Sequence, residues 1–123
     1  MLPRAQRIRT APVFGAIRRD GRTSSTNILS VGARLRAEDT QSAACFGFVV
    51  SRRVGNATVR NRVKRRLRAV AQASGTAFSG WDIVITARPA AAQATFADIS
   101  NAMLTAINRA TYQARTTPSV DVR

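Results

Sequence analysis

With 123 residues, 45% of them hydrophobic, the chain has room for one domain with a real core and is not a basic tail. Its net charge of +14, with Arg supplying 19 of the 20 basic residues, puts nucleic acid ahead of an anionic membrane or an acidic protein as partner, because a planar guanidinium fork suits phosphates and bases. No histidine, the single cysteine Cys45 and six scattered acids exclude a zinc centre of clustered ligands and most acid–base chemistry carried by the protein itself.

Residues 1–9 (MLPRAQRIR) are basic and weakly apolar, with no apolar run after them to make a signal peptide or a membrane span. Thr10 and Pro12 open a first predicted helix in which Val13 and Ile17 recur at i, i+4, with Phe14 beside that stripe and Gly21 as the stop. A strand is predicted over 26–36, then a polar turn in which Glu38 and Asp39 solvate a loop. A second strand runs from Cys45 to Ser51, with Phe46, Phe48 and Val50 on one face and Cys45, Gly47 and Val49 on the other. These two strands are expected to pair as antiparallel neighbours. Cys45 reads as a small core residue, and a lone cysteine fits a reducing cytoplasm.

The segment Phe46 to Val70 then carries Arg52, Arg53, Arg60, Arg62, Lys64, Arg65, Arg66 and Arg68, and no acid occurs between Asp39 and Asp82. Gly55 and Asn56 supply a turn and an N-cap for a helix that Gly75 ends. At about 100° per residue from Val63, Val59, Leu67 and Val70 fall within about 40°, while Asn61, Arg65 and Arg68 lie about 140° to 200° away. One face is core and the other basic. Arg60, Arg62, Lys64 and Arg66 flank it, where their stems cover apolar surface. Eight cations in one acid-free stretch of ordered chain make a surface for phosphates. Asn61, uncharged between two arginines, is suited to a specific hydrogen bond to RNA or to a metal-bound water.

Beyond a Ser/Gly loop, Trp81 to Arg88 reads as a strand buried on both faces, ended by Pro89. Thr95 and Asp98 resemble a capping box for a last helix whose apolar stripe is Phe96, Ile99, Met103, Ile107 and Ala110. Trp81 and Tyr112 read as packing residues. The expected architecture is α+β, a helix–strands–helix–strand–helix sandwich with one mixed sheet, in a single domain over 1–123 whose ends, about 1–8 and 115–123, are mobile.

Gly47, Ser51, Arg52, Arg53, Gly55, Asn56, Ala57, Arg60, Asn61, Arg62, Lys64, Arg65 and Arg68 stand in the spacing G-x-x-x-S-R-R-x-G-N-A-x-x-R-N-R-x-K-R-x-x-R. This closely resembles the signature of the bacterial ribonuclease P protein subunit, whose hallmark is the Arg-Asn-Arg helix. Phe14 to Gly21 and the Ala87-Arg88-Pro89 end of the later strand agree with the family as well. The resemblance implies a ribonucleoprotein whose large catalytic RNA removes the 5′ leader of precursor tRNA, using Mg²⁺ held mainly by RNA, in the cytoplasm and without a further protein partner. It also implies parallel pairing of the strands before and after the basic helix through a left-handed crossover, against the usual right-handed rule.

By the same resemblance the residues from Arg52 and Arg53 through Arg60, Asn61, Arg62, Lys64, Arg65, Arg66 and Arg68 face the catalytic RNA. A cleft between the first helix and the sheet, with Phe14, Ser51 and Arg52, holds the leader. The chain departs from many relatives in having Arg18 where a second aromatic stands, and Ile28, Leu29, Ser30 and Val31 in the next strand, which implies leader contacts that are more electrostatic and less stacked. The main alternative is a ribosomal-type structural RNA-binding protein with no role in cleavage. A DNA-binding module using the basic helix and a nuclease acting through its own residues are the others.

Overall fold

The computed structural model describes residues 21–36 and 43–121, so the predicted first helix with Phe14, and Glu38 and Asp39, lie outside the described residues. Four strands form one sheet: β1 (Arg22–Ser25), β2 (Leu29–Leu35), β3 (Cys45–Val49) and β4 (Trp81–Ala87), in the order β1-β2-β4-β3. Helix α1 (Ala57–Ser74) links β3 to β4, and α2 (Phe96–Asp121) follows β4. The architecture is α+β with a mixed sheet, as expected.

The pairing corrects one sequence expectation. β2 and β3 are not neighbours; β4 lies between them, antiparallel to β2 and parallel to β3. The reason is legible in the burial of β4, whose Trp81, Ile83, Ile85 and Ala87 are all buried. The most apolar strand takes a central position with a partner on each edge, but only one of its faces is fully buried: on the other, Val84 is half-buried and Thr86 exposed, so the expectation of burial on both faces is not met. Parallel pairing of β3 and β4 is what the family resemblance implies.

A second correction concerns residues 22–29. The polar string Arg22-Thr23-Ser24-Ser25 is a strand, and Thr26 begins a hairpin turn where the sequence placed the start of one continuous strand. The Thr26 hydroxyl accepts hydrogen bonds from the backbone N–H groups of Ile28 and Leu29, both at 3.2 Å, and its own N–H donates to the Leu29 carbonyl at 2.8 Å. A hydroxyl that closes a turn on its own backbone competes with extended pairing. Edge position explains the polarity of β1, since only one of its flanks has a partner.

The register sorts the sheet into two faces. Leu29, Val31 and Ala33 of β2 lie opposite Ala87, Ile85 and Ile83 of β4, and Phe46 and Phe48 of β3 lie opposite Ile83 and Ile85. The Phe46 and Phe48 rings stack with centroids 6.2 Å apart. This face joins Val63, Leu67, Val70 and Ala71 of α1 and Ile99, Met103, Ala106, Ile107 and Ala110 of α2 in one core. Phe96, assigned by periodicity to that stripe, is instead 48% exposed, because it opens the helix ahead of the first packed turn.

The other face carries Ser30, Gly32, Arg34, Cys45, Gly47, Val49, Asp82, Val84 and Thr86. Cys45 therefore sits half-buried on this face rather than in the core. Asp82 is buried there and accepts a 2.9 Å hydrogen bond from Arg36 Nη1, with Arg34 Nη1 at 3.8 Å. Arg36 also donates to the carbonyls of Trp81 and Ala43, tying the end of β2 to β4 and to the chain entering β3.

The reciprocal bonds expected of the capping box are present. Asp98 N–H donates to Thr95 Oγ1 at 3.0 Å, and Thr95 N–H to Asp98 Oδ2 at 3.1 Å. Helical backbone continues to Asp121, beyond Arg115, where the apolar pattern stops.

Candidate nucleic-acid interface

The basic surface begins where β3 ends. After Val50, Ser51 leads into a single 3₁₀ turn, Arg52–Val54, closed by Val54 N–H to the Ser51 carbonyl at 3.1 Å and Gly55 N–H to the Arg52 carbonyl at 3.2 Å. Val54 is buried and anchors the turn, so Ser51, Arg52 and Arg53 stand exposed around a fixed point.

Gly55 has φ 155° and ψ −166°, backbone reserved for glycine. A Cβ there would also lie 2.9 Å from Val59 Cγ1, so the chain enters α1 in an arrangement no other residue accepts. Asn56 then caps the helix: its Oδ1 accepts from Val59 N–H at 3.0 Å, while its carbonyl accepts from Arg60 N–H at 2.9 Å. The amide end of the helix dipole adds positive potential beside Arg52 and Arg53.

Along α1 the predicted faces hold. Val63, Leu67 and Val70 are buried, Val59 is partly so, and Asn61 and Arg65 are exposed, with Arg68 half-buried on the same side. The structure separates the basic residues into two groups in a way sequence did not. Arg62 Nη2 donates to the Ala92 carbonyl at 3.1 Å, and Arg66 Nη1 to the Ala94 carbonyl at 2.8 Å. Arg60 Nε turns back to the Gly55 carbonyl at 3.2 Å. These three spend part of their donor set on holding α1 to its own turn and to the short 3₁₀ segment Pro89–Gln93 that leads into α2. Each guanidinium keeps further N–H groups for a ligand.

Among the described residues, the ion pairs are those of Arg34 and Arg36 with Asp82, on the opposite face of the sheet. No described carboxylate pairs with any cation of the 52–68 stretch. An uncompensated convex face of this kind raises local anion concentration and binds polyanions without regard to sequence. It offers no nucleophile–base pair, and no three His, Cys, Asp or Glu side chains gather among the described residues.

Two features escaped the sequence reading. Asp82, counted there as one of the scattered acids, is the counter-charge that fixes Arg36; its place inside the apolar run Trp81 to Ile85 was the available signal, since a buried carboxylate requires a partner. Tyr112, assigned to packing, is 68% exposed, whereas Trp81 is buried as expected. Phe14 lies outside the described residues, and Ser51 and Arg52 sit together at the end of β3, next to the sheet face that no described helix covers. Among the described residues no helix is long and apolar enough to cross a membrane.

A sequence model of the family described as Ribonuclease P matches residues 2–111. The ribonuclease P protein component of Roseiflexus sp. (strain RS-1) is 38% identical over 111 residues, covering 89% of this chain and 88% of its own. That of Kocuria rhizophila is 38% identical over 114 residues, covering 89% and 98%. Among solved structures, a Staphylococcus aureus RNase P protein mutant aligns with a TM-score of 0.78 at 26% identity, over 87% of this chain and 89% of that one. The RNase P protein from Thermotoga maritima aligns with a TM-score of 0.69 at 26% identity, over 80% and 92%. The fold is thus shared with solved RNase P proteins, and the chain belongs to the ribonuclease P protein family.

Proposed function

We propose that this chain is the protein subunit of a ribonuclease P, binding the catalytic RNA through α1 and the 5′ leader of precursor tRNA through the sheet face that no described helix covers, and so assisting endonucleolytic removal of the leader. The observation that carries the reading is the exposed row Arg52, Arg53, Asn61 and Arg65, continued by the half-buried Arg68, with Arg60, Arg62, Lys64 and Arg66 at its flanks, in the family's spacing and with no described carboxylate paired to it. Phosphate contacts of this sort set position and register on an RNA, and Asn61 adds a directed amide among them.

The leader runs across the sheet face that carries Ser30, Gly32, Gly47, Val49 and Thr86, reached past Ser51 and Arg52, with Phe14 as the stacking residue. Small and polar side chains line this face, and no described aromatic side chain lies on it. Backbone tracking by charge and close approach therefore outweighs stacking, which suits leaders of any sequence. Catalysis belongs to the RNA. As the family resemblance implies, the Mg²⁺ is assigned to the RNA, and the protein's part is to bind, orient and neutralise. The cytoplasm is the matching compartment.

The test is cleavage of 5′-end-labelled precursor tRNA at low, near-physiological Mg²⁺ by the protein alone, by a bacterial ribonuclease P RNA alone and by the two together. Leader removal only in the mixture is expected. No gain over an RNA shown to be competent at high Mg²⁺ would turn the assignment toward a structural RNA-binding protein of ribosomal type.

A further inference from the structure

Beyond α1 the chain makes a second 3₁₀ turn, Gly75–Phe78, whose last residues meet α2 across a seam. A hollow of about 560 Å³ lies in this seam, lined by Ala77, Phe78, Asn108, Arg109, Thr111 and Tyr112. Phe78 is buried and forms an apolar floor. Thr111 is buried too, and its hydroxyl donates back to the carbonyls of Ile107 at 2.9 Å and Asn108 at 3.2 Å, which leaves its methyl for the floor. Asn108 and Arg109 precede Tyr112 by four and three residues, so all three project from one side of α2. Asn108 and Arg109 are exposed and Tyr112 is 68% exposed, on the side of α2 opposite the buried Ala110. No described carboxylate lines the hollow.

We infer that this hollow is a second RNA contact, separate from the basic face of α1, that holds one unpaired nucleotide of the large RNA: the base lies on the Tyr112 ring, the Asn108 amide meets the base edge, and Arg109 meets the adjoining phosphate. The inference rests on the reading of the chain as an RNA-binding subunit. An apolar floor with one aromatic face, one amide and one guanidinium is the set of groups that a nucleotide requires and an acidic peptide does not. The position selects the large RNA over the leader. α1 and α2 cover the same face of the sheet, and among the described residues no helix covers the opposite one. A strand following α1 toward its C-terminus passes the shallow recess formed by Arg65, Arg68, Ala69 and Gln72. From Arg65 to the end of α1 is about 14 Å at 1.5 Å per residue, a span of two or three nucleotides, after which the Gly75–Phe78 turn leads into the hollow.

The experiment titrates the full chain and its variants against a bacterial ribonuclease P RNA transcript between about 50 and 200 mM salt. Tyr112→Ala is expected to weaken binding about tenfold at every salt concentration, the loss of one stacked base. Tyr112→Phe, which keeps the ring, and Phe96→Ala, which removes another exposed aromatic of α2, are expected to match the parent. Arg109→Gln is expected to reduce the slope of log K against log salt by about one. A benzophenone side chain at position 112 is expected to crosslink to the RNA and one at position 96 is not, a readout that survives any loss of folding in the alanine variant. Parent-like affinity in Tyr112→Ala, or equal crosslinking from both positions, overturns the inference while the basic-helix reading stands. Failure of the parent itself to bind the transcript overturns both.

Discussion

Arg66 Nη1 donates a 2.8 Å hydrogen bond to the carbonyl oxygen of Ala94, 28 residues further along the chain. A side chain that the sequence places in a row of phosphate binders is also a strap, and Arg62 repeats the arrangement on Ala92 at 3.1 Å. The two straps fix the tilt of α1 against the segment that enters α2, and so set the angle at which Asn61, Arg65 and Arg68 meet a partner. Binding and fold stability are therefore coupled at the flanks of the helix and uncoupled at its crest.

That division gives the first prediction. Arg66→Ala is expected to lower the free energy of unfolding by about 1–2 kcal/mol, the loss of a hydrogen bond from a charged donor together with its packed stem. Arg65→Ala, at the exposed crest, is expected to leave stability within about 0.5 kcal/mol of the parent. Both variants are expected to weaken RNA binding and to flatten its salt dependence. Urea denaturation beside RNA titration separates the two; equal stability losses would mean that the straps contribute nothing to the fold.

The cap of α1 separates stability from binding in another way. Asn56→Ala removes the acceptor for Val59 N–H and is expected to destabilise the protein by about 1 kcal/mol. Asn56→Asp keeps an acceptor and places a negative charge at the amide end of the helix, so stability is expected to hold or rise slightly. The same charge stands beside Arg52 and Arg53 and repels RNA phosphates. Asn56→Asp should thus bind RNA less tightly than Asn56→Ala while melting at a higher temperature, an inversion that calorimetry and filter binding would reveal.

On the far face of the sheet, Asp82 has a structural part only. Its carboxylate is buried, meets Arg36 at 2.9 Å and lies 3.8 Å from Arg34. Asp82→Asn leaves two guanidinium groups without their counter-charge in a half-buried setting, and a loss of about 2–3 kcal/mol is expected, below the value for a fully buried pair because Arg34 keeps solvent contact. Affinity for the catalytic RNA, whose proposed contact is α1 on the opposite face, should not change per folded molecule. A fall in affinity with unchanged stability would instead place Asp82 in the RNA interface.

Much of this was legible in advance, and the exceptions share one cause. Periodicity found α1 and α2, and side-chain chemistry found the Asn56 cap and the Thr95–Asp98 box, because each is decided within a few residues. The parallel pairing of β3 and β4 was implied only by the family resemblance; local pattern alone favoured β2 against β3. Strand order is decided by which strand takes a partner on each edge, a comparison among distant segments. β1 was missed because four polar residues at a sheet edge carry no apolar alternation, and the Thr26 turn was read as strand. The straps of Arg62 and Arg66 were invisible for the same reason: their acceptors are backbone carbonyls, which leave no mark in a sequence.

The sheet face that no described helix covers supplies the last prediction. Val49 projects from edge strand β3 onto that face and is 41% exposed, so its side chain can be changed without opening the core. Val49→Lys and Val49→Asp both exchange a good strand former for a poorer one, with expected losses of about 1 kcal/mol or less in each. Their charges act in opposite directions on a leader crossing the face. Val49→Lys should tighten binding of precursor tRNA by the assembled ribonucleoprotein and Val49→Asp should loosen it, with the difference shrinking as salt rises. Mature tRNA, which has no leader, should bind equally well in both. The comparison cancels the structural effect of the substitution and leaves the electrostatic one, so a precursor affinity that is the same in the two variants would move the leader off this face.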